Sequence, residues 1–260
     1  MFRSLATAAS GMEAQQTKLD VTANNIANVS TNGFKKERAE FHDLMYQQVR
    51  AAGSPTGNGT QAPGPTEIGL GTRLVATARD LGQGELHQTS NPLDLAIEGK
   101  GYLTVTMPNG TTAYTRNGSL QLSNEGKLVT SDGYSVGDIT VPTDATSVTI
   151  AADGTVSAQV ANQTAAVELG KIQVAMFANP GGLASQGSTL FTETSASGTA
   201  VLGVPGEGGA GNLRQGMLEV SNVNVVNEMI DLIAGQRAYE INSKVVKAAD
   251  EMLSDTAQLR

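Results

Sequence analysis

The side chains able to do chemistry are few and scattered along this chain. Histidine occurs only at His42 and His87, and neither has a second histidine at metal-ligand spacing. Glu85 and His87 would share one face of a strand, but one carboxylate and one imidazole are too few donors for a zinc site, so the pair reads as exposed strand. No Gly-x-Ser-x-Gly elbow occurs, and a Ser/His/Asp triad would have to recruit His42 or His87 from an unmarked context. Glu85, Asp94, Glu98, Asp132 and Asp138 could formally supply the two carboxylates of a glycosidase, with surface charge as their ordinary explanation. Gly206-Glu207-Gly208-Gly209-Ala210-Gly211 satisfies G-x-G-x-x-G in form. That fingerprint needs a strand leading in and a helix leading out, whereas Pro205 precedes it and Asn212 to Gly216 has no helical pattern, so it reads as a loop. No catalytic residue, cofactor, metal or small-molecule substrate is expected.

Composition points the same way. The 260 residues suffice for one large domain or two to three modest ones. Aromatic residues make up 4% of the chain and Trp is absent, which predicts an aliphatic core. A formal net charge of −8, with Lys35, Lys36 and Arg38 as the one local basic group, argues against nucleic acid or an anionic membrane as partner. The lack of cysteine removes disulfides and thiolate metal sites and is neutral about compartment. Met1 to Ser10 superficially suggests a charged leader with a small-residue cleavage site, but it has no apolar run of the required length. The expectation is a soluble chain, or one exported by a route that reads no cleavable signal.

The elements that would position any site are clearest at the two ends. Leu5, Ala8, Met12, Gln15, Leu19, Thr22, Ile26 and Val29 recur at alternating steps of three and four, the seam of a coiled coil. Ala234, Ala238, Ile241, Val245, Ala248 and Met252 repeat that spacing, and Val226, Ile230 and Ile233 extend the apolar face upstream after one skip in register. A first helix is predicted over about 4–29, stopped by Ser30-Thr31-Asn32-Gly33 with Gly33 free to take a positive φ. Ser221 to Asn224 offers caps for a last helix of about thirty residues, roughly 45 Å long. Asn24, Asn25 and Asn28 lower helix propensity near the end of the first helix. They are either helix-end polar surface or hydrogen-bonding groups across a packed helix interface.

Between the ends, Phe34, Phe41, Leu44, Met45 and Val49 suggest a short helical or mixed piece. Ala51 to Pro65, with four Gly and three Pro, reads as a flexible loop. From about 68 to 218, β-branched runs alternate with Asn109-Gly110, Asn117-Gly118, Asp132-Gly133 and Asp153-Gly154, which is tight-turn chemistry for antiparallel strands. The predicted class is α+β: a discontinuous terminal α-helical coiled-coil domain of residues 1–30 and 222–260, a connecting segment 31–69, and a central, mainly antiparallel β domain 70–221.

The residues also carry a family resemblance. Ala23-Asn24-Asn25-Ile26-Ala27-Asn28-Val29-Ser30-Thr31-Asn32-Gly33-Phe34-Lys35 resembles the N-terminal signature of the bacterial flagellar rod and hook axial proteins. Ser221 to Val225 together with Gln236 to Asn242 is similar to their C-terminal signature, and Ala96 to Tyr102 and Tyr114 to Gly118 also match. Length, Asp20 to Asn25 and Phe41 to Gln47 are most similar to the distal-rod members. The stretch 46–69, containing Tyr46, Arg50, Pro55, Pro63 and Pro65, stands where those members carry a rod-specific segment, matching by position and length rather than by residue.

The resemblance implies a structural subunit exported through the flagellar type III apparatus and polymerised into a straight hollow tube that crosses the periplasm and carries torque. Its implied partners are further copies of itself, proximal rod subunits, the hook protein, the rod cap and the surrounding rod bushing rings. An open helical filament follows from a heterologous interface whose rotation does not close. The expected assembly residues are Leu5, Met12, Leu19, Asn24, Asn25, Ile26, Asn28, Val226, Ile230, Ile233, Ile241, Val245 and Met252, packing within or between subunits. The terminal helices are expected to fray in the free subunit and order on assembly. Two rivals remain: a proximal rod or hook-like axial protein of the same family, and a secreted glycan-binding or glycan-cleaving β-protein.

Overall fold

The computed structural model describes residues 2–57, 60–161 and 165–258. Helix α1 covers Phe2–Ala27 and helix α2 covers Val225–Gln258, with the strands between them, so the class is α+β. The chain divides into two compact units. One holds residues 1–27, 37–79 and 224–260; the other holds residues 28–36 and 80–223.

In the first unit the helices pack on each other and α1 also packs on a β-ribbon. The ribbon runs outward through β1 (Glu37–Asp43), β2 (Tyr46–Arg50) and β3 (Pro55–Gly57) and returns through β4 (Thr60–Gln61), β5 (Thr66–Gly69) and β6 (Thr72–Arg79). β1 pairs antiparallel with β6 from Glu37 opposite Arg79 to Asp43 opposite Thr72, with a bulge at Glu40/Phe41. β2 pairs with β5, and β3 with β4. Two expectations are therefore corrected. The short helical or mixed piece is instead strand over 37–43 and 46–50, because Phe41 finds Leu74 opposite it and Gln47 finds Ile68, while Val49 falls at a shift in register between Gln48 and Arg50. The Gly/Pro-rich stretch 51–65 carries a short strand pair at its described positions instead of remaining a plain loop, Asn58 and Gly59 lying outside the described residues. The ribbon joins the helical unit, whereas the sequence placed a connector over 31–69 and the β domain from 70.

Asn224 caps α2: its side-chain oxygen accepts from the Val226 and Asn227 N–H groups at 3.1 and 3.2 Å, satisfying donors that the first turn leaves free.

The second unit is built from antiparallel strand pairs. Its nine-stranded sheet contains the run 120–122, 127–130, 135–140, 102–106, 112–115, 190–192 and 184–187, with 174–176 also on 102–106 and 201–203 on 174–176. A three-stranded meander over 145–171 and two short pairs, 95–98 with 212–215 and 86–88 with 217–219, complete it. Leu95, Ile97, Leu103, Leu120, Leu128 and Leu213 anchor an aliphatic core. A second cluster departs from the all-aliphatic expectation: Tyr102 meets Phe177 and Phe191 edge-on, and Tyr114 meets Phe177 edge-on at 4.8 Å between ring centres. The few aromatic residues are concentrated here rather than dispersed. Of the four expected turns, three have glycine at positive φ. Asn117-Gly118 differs: Gly118 is required by close approach, since a Cβ there would lie 1.6 Å from the Leu95 carbonyl oxygen.

Candidate assembly interface

The two helices approach antiparallel through small and polar residues. A Cβ on Gly235 would stand 2.9 Å from a Leu19 methyl, and one on Gly11 would stand 3.1 Å from the Asn242 amide nitrogen. Lys18 Nζ lies 3.1 Å from Asp231 Oδ1, a half-exposed pair worth at most about 1 kcal/mol. Farther along, Asn25 is buried: its amide donates to the Glu37 carbonyl at 2.7 Å and to Glu228 Oε2 at 3.1 Å, and its oxygen accepts from the Glu37 N–H at 2.9 Å. One side chain thus ties the end of α1 to the start of β1 and to α2.

The buried face of α2 is marked by Glu228, Gly235 and Ala249, with Leu232, Asn242, Val246 and Leu253 half-buried on the same stripe. The apolar stripe read from the sequence lies about one residue out of phase with it. Val226, Ile230, Ile233, Ile241, Val245 and Met252 are 44–66% exposed. These side chains face largely outward, because the close approach admits Gly235, Asn242 and Ala249 and turns the larger aliphatics away from α1. On α1, Leu5, Met12, Leu19 and Ile26 are half-buried and Asn24 is exposed; just past its end, Asn28 accepts from the Thr31 hydroxyl at 3.2 Å. The hydrogen-bonding groups of Asn25 are engaged inside the subunit, across the helix pair to Glu228 and on the Glu37 backbone.

The ribbon presents a second exposed surface. Met45 is 84% exposed, and Tyr46, Val49, Arg50, Pro55, Pro63 and Pro65 are all exposed. A hydrogen bond to Asp43, with Glu67 nearby, raises the pKa of the Tyr46 phenol above its ordinary value. Ser10 Oγ accepts from the Thr72 N–H at 3.4 Å, pinning β6 to α1.

The second unit contains an ionic anchor that sequence reasoning did not assemble. Glu219 is fully buried; one carboxylate oxygen accepts from Lys35 Nζ at 2.5 Å and the Gly84 N–H at 2.9 Å, the other from Arg116 Nε at 2.8 Å. Arg116 also donates to the Gly101, Gly99 and Ile97 carbonyls, and Lys35 to the Gly82 carbonyl. Burial lowers the Lys35 pKa, and the Glu219 hydrogen bond and charge oppose that shift without cancelling it. Gly33 must be glycine here: its φ is +72°, and a Cβ would lie 2.7 Å from the Arg116 backbone. Asn222 closes the same region, accepting from the Lys36 N–H at 2.7 Å and donating to the Asp80 and Gly82 carbonyls. Lys35, Arg116 and Asn222 all fall in motifs that the sequence singles out. Glu219 is the missing fourth, and its signal was one acid inside the apolar run Met217-Leu218-Glu219-Val220.

Comparison with known proteins covers the chain from end to end. Family profiles match at residues 5–35 (flagella basal body rod protein), 96–158 (flagellar hook protein FlgE/F/G D1 domain) and 214–259 (flagellar basal body rod FlgEFG protein C-terminal). The chain is 48% identical to the flagellar basal-body rod protein FlgG of Caulobacter vibrioides over 100% of both chains. It is 46% identical to the FlgG of Borreliella burgdorferi, over 100% of this chain and 99% of that one. It is 32% identical to the flagellar hook-basal body complex protein FlhP of Bacillus subtilis, over 97% of each.

Proposed function

The chain belongs to the flagellar basal-body rod protein family, a structural rather than an enzymatic family, and on that premise we propose that it is the subunit of the distal rod. Copies polymerise into a straight, hollow helical tube that spans the periplasm, transmits torque from motor to hook and serves as the export channel. The subunit reaches that place through the type III apparatus without a cleaved signal. It meets proximal rod subunits below, the hook protein above, the rod cap during growth and the bushing rings around it. Residues 1–30 and 222–260 form the inner tube, and 46–69 is the segment that stiffens it.

The observation that carries this reading is the outward aliphatic stripe of α2, from Val226 to Met252, in a chain that matches rod proteins along its whole length. Such a stripe on a long helix is buried by association or not at all, and a heterologous contact that does not close produces a filament. The test is complementation of a strain lacking the gene with Ile233→Asp and Ile241→Asp, followed by electron microscopy of purified basal bodies. Rods ending at the proximal segment are the expected result; full-length rods in both variants would remove the stripe from the interface. The FlhP match favours one alternative, a neighbouring axial subunit of the same family. The order of assembly in strains lacking individual axial proteins separates the two.

A further inference from the structure

The ionic anchor of the second unit is short of one negative charge. Two buried cations, Lys35 and Arg116, face one buried carboxylate, Glu219. Among the described residues Asp80 is the one other acid acting on Lys35, and its exposed carboxylate is engaged by the Gly82 N–H. A surplus charge held away from water is costly unless an opposite charge reaches it. The hydrogen-bonding capacity of the cluster is also unfilled: the ammonium has three N–H donors and two protein acceptors.

A cleft of about 280 Å³ opens on both cations. Its walls are Leu81, Tyr102, Met176, Phe177 and Pro180, and the exposed Lys100 stands at its edge. The cleft therefore asks for a carboxylate carried next to apolar side chains. The exposed ribbon has that combination: Asp43 lies beside the phenol of Tyr46, and Met45 is the most exposed large apolar side chain described. An open polymer needs two different complementary patches on each copy, and these two match in charge as well as in apolar character.

We propose that this cleft is a socket for a second copy of the chain, which presents the Asp43-Met45-Tyr46 junction between β1 and β2 of its ribbon. The inference rests on the rod reading and adds the residues of one lateral or axial contact. Lys100 receives the Asp43 carboxylate at the rim and draws it toward Lys35 and Arg116, while Met45 and Tyr46 cover the aromatic wall.

The natural chain has no cysteine, so a covalent test is clean. Met45→Cys and a cysteine in place of the cleft-lining Ala178 (Ala178→Cys), combined in the full chain and expressed in cells lacking the wild-type gene, should give a ladder of disulfide-linked multimers after mild oxidation of isolated basal bodies. Each single variant should give none. A normal rod count without the ladder overturns the socket and leaves the rod reading intact, whereas absence of rods in cells complemented by the unmodified chain overturns the rod reading itself. A charge exchange provides the second arm. Lys100→Glu and Asp43→Lys should each reduce rod number at least tenfold, and the double variant should restore it. Equal loss in singles and double, with the ladder absent, also overturns the pairing. A ladder from Ala178→Cys with Met252→Cys instead would assign the cleft to a helix and refute the ribbon as occupant.

Discussion

Glu219 is the residue on which the two buried ion pairs of the second unit converge, and its chemistry sets a sharp expectation. Glu219→Gln keeps the shape but leaves Lys35 and Arg116 buried against a neutral amide, so it should cost about 3–5 kcal/mol in urea unfolding of the isolated subunit. A loss below about 1 kcal/mol would mean that water already reaches the cluster. Asp153 offers a milder probe at the other extreme of exposure. The Thr155 N–H and hydroxyl donate to its two oxygens at 3.1 and 3.0 Å and lower its pKa, the backbone bond contributing most. With the folded pKa below the unfolded one, this turn's contribution to stability is present above the unfolded value of 3.8 and is lost as pH falls through the folded value. Thr155→Val should move the Asp153 carbon titration in NMR part of the way back toward 3.8, and no movement would show that the hydroxyl bond is absent in solution.

At the scale of elements, α2 has two faces that should respond oppositely to substitution. Gly235→Leu places a large side chain where a Cβ alone meets Leu19 at 2.9 Å, and overpacking of this kind should lower subunit stability by about 1–3 kcal/mol. Ile241→Asp changes a side chain 60% exposed in the subunit, so the melting of the monomer should move by less than about 0.5 kcal/mol while polymerisation fails. Reversal of that pattern would mean that the faces are exchanged in solution. The contrast also explains what could be read from the sequence. Heptad spacing and the caps located both helices to within about two residues, and β-branched runs with Gly turns located the β domain. The phase of the α2 stripe was not legible, because apolar periodicity reports the face that is buried finally, not the face buried inside one copy. Small and polar residues at 228, 235, 242 and 249 carry no hydrophobic signal, yet they are the ones that let the helices approach. The ribbon was missed for a related reason: its strand pairing depends on partners some 20–40 residues away along the chain, which local composition does not register. Asn25 and Glu219 depend in the same way on long-range partners.

For the whole molecule, the decisive quantity is how unevenly stability is distributed. The second unit buries a large aliphatic core together with an aromatic cluster, and its ionic anchor ties Lys35 and Arg116 to Glu219 inside it. In α2, by contrast, Glu228, Gly235 and Ala249 are the buried positions among the described side chains, and a row of aliphatics faces outward along its length. Opening free energy scales with local burial, so such a helix should open far more readily than the sheet. Backbone hydrogen exchange on the dilute subunit should therefore be at least tenfold faster over residues 225–258 than over 95–175, a ratio that corresponds to about 1.4 kcal/mol. Exchange over 2–27 should lie between, because α1 also packs on β1 and β6. In isolated rods the helical exchange should slow to the level of the sheet, while the sheet itself changes little. That combination would mean that helix ordering and filament growth are one process, with the outward stripe supplying the free energy that a lone subunit lacks. Helices already as protected as the sheet in the dilute subunit would refute the coupling, leaving the exposed stripe as a preformed rigid surface on which copies dock without further ordering.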